Sequence, residues 1–237
     1  MLFRSAFLRT KLWDAETNTL YHRWRDGERD SVQLLDAYAF LLSGVIELYE
    51  ATLEPGHLEF AIALAEAMLT RFHDPERGGF WQSAADANDL ILRVKDDNDG
   101  AEPAGNSVAT LELLKLAAIT GRADFHTAAE RTLAADAAKF AQAPHAIPCL
   151  LQAMDFWLEA PARVVLTGDP TSASFKALAR AAHSIFRPAK VVLGQRGPVE
   201  PFAAALPNSP VAAYVCAGQT CKPATADPAE VRAALAG

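Results

Sequence analysis

Cysteine is scarce in this sequence, with three residues in 237. An odd, low count in a chain of that length argues against a disulfide framework and points to a reducing compartment. Long apolar runs are missing too. No stretch approaches the roughly 20 apolar residues that a membrane span requires, and Ala6-Phe7-Leu8 is too short for a signal peptide and lacks a cleavage signature. A cytoplasmic location with no membrane partner is the expectation. The net charge of −7 is spread without an acidic run, so nucleic acid is not an expected partner. Gly168-Asp169-Pro170 follows an apolar run but reads as a turn and not as a phosphate-binding fingerprint. Cys216 and Cys221 lack the Cys-x-x-Cys spacing of a redox pair, and no second Cys or His pair near them would complete a zinc site. They read as structural or incidental thiols, and no metal or cofactor is expected.

What the chain has in quantity is helical periodicity, up to about residue 160. Leu34, Tyr38, Leu41, Leu42, Val45, Ile46 and Tyr49 recur at spacings of three and four, which places them on one helix face. Asp30 or Ser31 is expected to cap that helix, and Pro55-Gly56 closes its neighbourhood. Leu58, Ala61, Ile62, Ala65, Leu69 and Phe72 form a second stripe. Val108, Leu111, Leu114 and Ala118 form a third, with Asn106 as its expected cap and Gly121 as its stop. Phe125, Ala129, Leu133 and Phe140 make a fourth. Ile147, Leu150, Leu151, Met154, Trp157 and Leu158 make a fifth, opened by Pro144 in its first turn. The stretch from Ala6 to Leu12 reads as a helix end with no cap before it. The protein is therefore expected to continue upstream, with Met1 to Ser5 foreign to it.

Two segments between helices, Thr19 to Trp24 and Gly79 to Val94, carry aromatics and branched residues flanked by Gly, Asp and Asn, as short hairpins do. They belong to a repeat. Leu12-Trp13-Asp14, Glu16 and Leu20-Tyr21 are echoed sixty residues later by Phe72-His73-Asp74, Glu76 and Phe80-Trp81. A period near sixty with two helices per unit is the signature of stacked helical hairpins, either as an open solenoid or as a closed ring. Hairpins recurring at one place in each unit suggest loops on one rim, as in a six-hairpin α/α toroid. The chain holds about two and a half such units, against the roughly 350 residues of a full ring. The expected fold is therefore mainly α, a partial toroid over residues 6–160. After Pro161 the pattern changes to strand (Val164-Val165-Leu166), helix (Ser172 to Phe186) and strand (Lys190 to Gly194). A third strand (Val211 to Val215) and a closing helix from Pro228, begun by Asp227, complete a small α/β tail over 161–237.

The densest polar cluster is Lys95-Asp96-Asp97-Asn98-Asp99, leading through Gly100 to Ser107. Carboxylates there are favoured by the dipole of the following helix, and Asn106 is accounted for by capping. The same groups on a loop facing a ring cavity would suit a polyhydroxylated ligand, with Trp24 and Trp81 supplying flat faces for a sugar ring. Asp36, one turn into its helix beside Tyr38, is either a dipole-stabilising acid or a general acid or base paired with Asp97 or Asp99. His22 is the histidine on a rim hairpin. The lack of a second one weakens an epimerase reading, which needs bases on both faces of a carbon.

These residues resemble the carboxyl-terminal half of the thioredoxin-domain-containing, spermatogenesis-associated protein family. The matching pieces are Leu20 to Arg23, Leu35 to Phe40, Gly78 to Phe80, Arg93 to Lys95, Asp99 to Ser107, Ala213 to Cys216 and Cys221 to Pro223. The resemblance implies a six-hairpin toroid like that of N-acylglucosamine 2-epimerases and several glycosidases, preceded by a thioredoxin-like domain absent from this chain. It departs from the family pattern at Ala37, where an aspartate is usual, and at Ala104, where a serine is. The function expected is a carbohydrate-active or carbohydrate-binding toroid. Asp36, Asp97 and Asp99 would act as acid/base or hydroxyl-binding groups; His22, Trp24, Tyr38, Trp81, Lys95 and Asn106 would shape the site around a saccharide. The rival reading is a non-catalytic scaffold serving the thioredoxin-like redox domain. The sequence does not decide whether the protein is an enzyme.

Overall fold

The computed structural model describes residues 2–87, 91–96, 98–218 and 220–236. The fold is mainly helical with a small sheet. Helix α1 (Leu2–Lys11) leads into two short hairpins, β1 (Trp13–Asp14) with β2 (Thr19–Leu20) and β3 (Trp24–Arg25) with β4 (Glu28–Arg29). Then come α2 (Leu35–Thr52), α3 (Pro55–Phe72), α4 (Gly105–Thr120), α5 (Ala123–Ala135), α6 (Ala137–Gln142) and α7 (Pro148–Leu158). Among the described residues no helix is long and apolar enough to cross a membrane.

The apolar stripes become the helix–helix core. Tyr38, Leu42, Ile46 and Tyr49 of α2 are fully buried, as are Leu58, Ala61, Ala65 and Phe72 of α3. Helix α4 is buried on nearly every side, because it packs against α2, α3, α5 and α7 together. Its core therefore includes Leu113, Leu116 and Ile119, which the single stripe through Val108 and Leu114 does not contain. Gly121 closes α4 in the left-handed region at φ 74°, where a residue without Cβ is unstrained.

Three expected helix starts differ from the structure. Neither Asp30 nor Ser31 caps α2; Leu34 precedes it without a side-chain cap, and Asp30 accepts the Arg23 N–H instead. Asn106 lies inside α4, two residues past Ala104, and its side chain caps nothing. Pro144 begins a separate 3-10 turn ending at Ala146, and α7 opens at Pro148. Ile147, fully buried and outside helical φ/ψ, separates the two.

The sixty-residue echo is a structural repeat. Tyr21 N–H donates to Leu12 O at 3.0 Å, and Trp81 N–H donates to Phe72 O at 2.8 Å. Asp14 Oδ1 accepts the N–H groups of Glu16 and Thr17, and Asp74 Oδ1 accepts those of Glu76 and Arg77. Next, Leu20 N–H donates to the Tyr38 hydroxyl of the following helix at 2.7 Å, and Phe80 N–H donates to Asn106 Oδ1 of its following helix at 2.6 Å. The second hairpin is otherwise irregular, held by the bridges His73–Phe80 and Leu34–Ser83.

The carboxyl-terminal part comprises β5 (Ala162–Thr167), α8 (Ala173–Ser184), β6 (Lys190–Gly194), α9 (Pro201–Ala205), β7 (Ala212–Ala217), β8 (Thr220–Cys221) and α10 (Pro228–Ala236). The sheet order is β6-β5-β7-β8, with β5 parallel to β6 and antiparallel to β7. The strand, helix, strand reading of the tail agrees with this; α9 and β8 were not read from the sequence. Ser172 caps α8 by accepting Phe175 N–H. Cys216 and Cys221, expected as thiols, form a disulfide. They sit directly opposite on antiparallel β7 and β8, with Cα atoms 3.9 Å apart, so strand pairing brings the sulfurs together. At the seam between the helices and the sheet, the outer edge of β6 meets α2. Val192 N–H donates to Glu50 Oε1 at 2.7 Å, and Gly194 N–H donates to the Tyr49 hydroxyl at 3.2 Å.

Candidate functional site

Among the described residues between α3 and α4, Phe80, Gln82, Asp96 and Asp99 make contacts with the first turns of α2, α4 and α7. At α2, Gln82 O accepts Leu35 N–H at 3.0 Å, and Gln82 Nε2 donates to Asp36 Oδ2 at 2.5 Å. At α4, Asn106 clamps two of them: besides accepting Phe80 N–H, its amide donates to Phe80 O at 2.7 Å and to Asp96 O at 3.0 Å. At α7, Asp99 Oδ2 accepts Cys149 N–H at 2.7 Å while Oδ1 accepts Ala104 N–H at 2.8 Å. A carboxylate against such N–H groups is favoured by the helix dipole and by charge-assisted hydrogen bonding. Gly105 lets the helices approach, since a Cβ there would collide with Asp36 Oδ1 and crowd Leu35.

Around this junction, Trp81 is half-buried and faces two cations. Lys95 Nζ lies 4.7 Å and Arg93 Cζ 5.1 Å from its ring centroid. Lys95 Nζ also donates to Asp74 Oδ2 at 2.8 Å and to Gly78 O at 2.6 Å. That ion pair, with the Arg77 and Glu76 N–H groups, lowers the Asp74 carboxyl to about 2. Burial, reinforced by the Asp99 charge, pushes the Cys149 thiol up to about 11, which leaves it protonated and unreactive.

Apart from Tyr38, the expected site residues separate into three sets. Trp81, Lys95 and Asn106 come together around Gly79, whose Cβ position would lie 3.3 Å from Asn106 Oδ1 and 3.8 Å from Lys95 Nζ. Asp36 joins them through Gln82, and Asp99 through Ala104 N–H before α4. His22 and Trp24 remain on the first hairpins. His22 is exposed, with its N–H on Val32 O, and Trp24 is covered by Lys11 Nζ at 4.9 Å. Asp97 lies outside the described residues.

Two residues expected to line a ligand site are inside the protein. Tyr38 is fully buried, its hydroxyl taken by Leu20 N–H, because α2 turns that face to the core. Asn106 is 3% exposed, with oxygen and nitrogen both committed to backbone. Asp36 pairs with an amide and not with a second carboxylate, while both Asp99 oxygens hold backbone N–H groups. Among the described residues, no group of His, Cys, Asp and Glu is placed to hold a metal ion.

Sequence reasoning missed Gln82, Asp74 and Arg93. Asp74 was within reach, since it stands sixty residues after Asp14 in the repeat. Gln82 carries no signal of its own; its Oε1 is buried without a hydrogen-bond partner. Two sizeable cavities lie elsewhere. One of about 690 Å³ sits among the ends of α4 and α7, the start of α5, and Arg163 and Glu200. One of about 610 Å³ lies between α4, α7 and the Phe186–Ala189 loop.

No protein-family model matches the chain. Spermatogenesis-associated protein 20 of Mus musculus and its namesake of Homo sapiens are each 32% identical to it over 249 residues, 98% of this chain and 32% of theirs. An uncharacterized protein of Caenorhabditis elegans is 27% identical over 146 residues, 62% of this chain and 20% of its own. The chain thus spans about a third of the length of the curated relatives it matches first. Similarity along nearly the whole of this chain supports its kinship with the spermatogenesis-associated proteins, for the portion of their length that it spans.

Proposed function

We propose that this chain is part of an α/α toroid that binds a polyhydroxylated ligand, a saccharide, where α2, α4 and α7 begin. On this reading residues 6–160 form the toroid part, 161–237 form an appended α/β unit, and the protein is cytoplasmic. The observation that carries the proposal is the joining of three helix starts by residues between α3 and α4, with Asp36, Trp81 and Lys95 near the junction. Asp36 Oδ1 carries no hydrogen bond among the described residues and would accept a sugar hydroxyl. Trp81 would offer an aromatic face. Asp36 is held through Oδ2 by the Gln82 amide, which fixes the carboxylate for ligand contact.

A thermal-shift screen against mono- and disaccharides tests this. A ligand at a hundredfold excess over its Kd adds about 2.7 kcal/mol of stability, visible as a raised Tm. The shift is expected to vanish in Asp36→Ala and in Trp81→Ala. A flat response to every sugar would overturn the proposal.

The second reading, a scaffold for a thioredoxin-like redox domain, draws support from the structural commitment of Tyr38, Asn106 and Asp99. Titrating a separately produced thioredoxin-like domain into the chain would decide it, with measurable association expected on this reading alone.

A further inference from the structure

Glu50 is 8% exposed, yet it sits at the seam between the helices and the sheet. Its Oε1 accepts the Val192 N–H on the outer edge of β6, one residue along α2 from Tyr49, whose hydroxyl takes the next outward N–H, that of Gly194. Leu53 at the end of α2 packs against Gly194, and Pro55 at the start of α3 packs against Gly197. These contacts seat β6 on the helical part through a few side chains.

The charges facing Glu50 come from every element packed there. Glu47 lies one turn earlier on α2. On α4, Lys115 Nζ is already shared between Glu112 at 3.2 Å and Glu47 at 3.4 Å. Glu112 is 2% exposed, accepts the Ser43 hydroxyl through Oε1, and leaves Oε2 without a hydrogen bond. On β6, Lys190 spends its ammonium on the carbonyls of Ala182 and Ile185. On α8, His183 Nε2 lies 3.1 Å from the Glu50 carbonyl oxygen. Arg187, before β6, reaches Leu235 O. Among the described residues no cation is in ion-pair contact with Glu50, while two carboxyls stand nearby.

We infer that Glu50 is a proton-sensitive latch, which holds β6 against α2 while protonated and lets that seam loosen once ionised. An ionised Glu50 would be a buried charge without a counter-ion, a state that favours exposure to water. Burial raises its carboxyl from the usual 4.5 to about 7, with the Val192 N–H acting in the opposite sense. The closed form therefore binds the proton more tightly than the open form. Its advantage is complete below about pH 4.5 and is lost as the pH rises to about 7. Pro188 and Ala189, just before β6, line the 610 Å³ cavity with Lys115. A loosened latch would widen its mouth.

Amide exchange of the 190–196 segment at pH 5 and pH 7.5, corrected for the intrinsic pH dependence of exchange, tests the latch. Protection is expected to fall at least about tenfold in the native sequence, since each pH unit inside the window shifts the opening equilibrium about tenfold. In Glu50→Gln, which keeps an acceptor for Val192 N–H, protection is expected to stay level. An unchanged profile in Glu50→Gln, a level native profile, or a profile abolished by His183→Asn would each overturn the inference.

Discussion

Asp74 holds Lys95 at 2.8 Å below the face of Trp81, just as Asp14, sixty residues earlier, holds Arg29 at 2.9 Å below Tyr21. In each unit an aspartate closes a turn with one oxygen and fixes a cation with the other, and the cation lies on an aromatic ring. The two copies differ in their environment. The Asp14 carboxyl is lowered chiefly by the Glu16 N–H, whereas Lys95 is the main cause at Asp74.

The second copy makes an acid-sensitive contribution to stability. The Asp74 carboxyl is depressed from 3.8 to about 2 in the folded protein. Its stabilisation is therefore present above about pH 4 and lost as the pH falls towards 2. Tm measured from pH 5 down to pH 2 should fall more steeply in the native sequence than in Asp74→Asn. Parallel curves would show that the pair adds nothing.

Asn106→Ala should destabilise the protein by about 2–4 kcal/mol, because it leaves the buried N–H and carbonyl of Phe80 unpaired. Urea unfolding checks this. A variant with native stability would mean that the clamp is dispensable.

Gly105→Ala should cost about 1–3 kcal/mol by forcing Asp36 and Leu35 away from the start of α4. The same variant should weaken any ligand held by Asp36. Chemical denaturation and the saccharide screen read the two effects separately.

Replacing both Cys216 and Cys221 by Ala should cost about 2 kcal/mol, since the bridge closes a loop with a sequence separation of only 5. Exchange protection should drop first in β8, which carries Cys221, and in α10 beyond it. Uniform loss over the whole chain would contradict this.

Much of the fold was legible because it rests on periodicity. Tyr38, Leu42, Ile46 and Tyr49 announce a buried helix face from their spacing alone, and Gly121 announces its neighbour's end. Helix starts were less legible. Asn106 has the chemistry of a cap and lies near a helix start, yet those attributes serve equally to clamp a passing strand, and only tertiary contacts distinguish the two uses. Tyr38 was misplaced for a related reason, since helical spacing puts it on the core face while its hydroxyl suggested a polar site. The Cys216–Cys221 bridge depended on the pairing of β8, only two residues long, with the end of β7. The repeat carried more than its residue matches suggested. Beyond the similar elements, the structure places equivalent hydrogen bonds at Asp14 and Asp74.

The seating of β6 on α2 has a consequence for assembly. Outward N–H groups on an edge strand invite pairing with a strand from another molecule. Here Glu50 and Tyr49 already occupy two of them, and the opposite edge ends in β8, only two residues long. Strand addition along β6 is therefore blocked at Val192 and Gly194 for as long as Glu50 and Tyr49 keep those N–H groups.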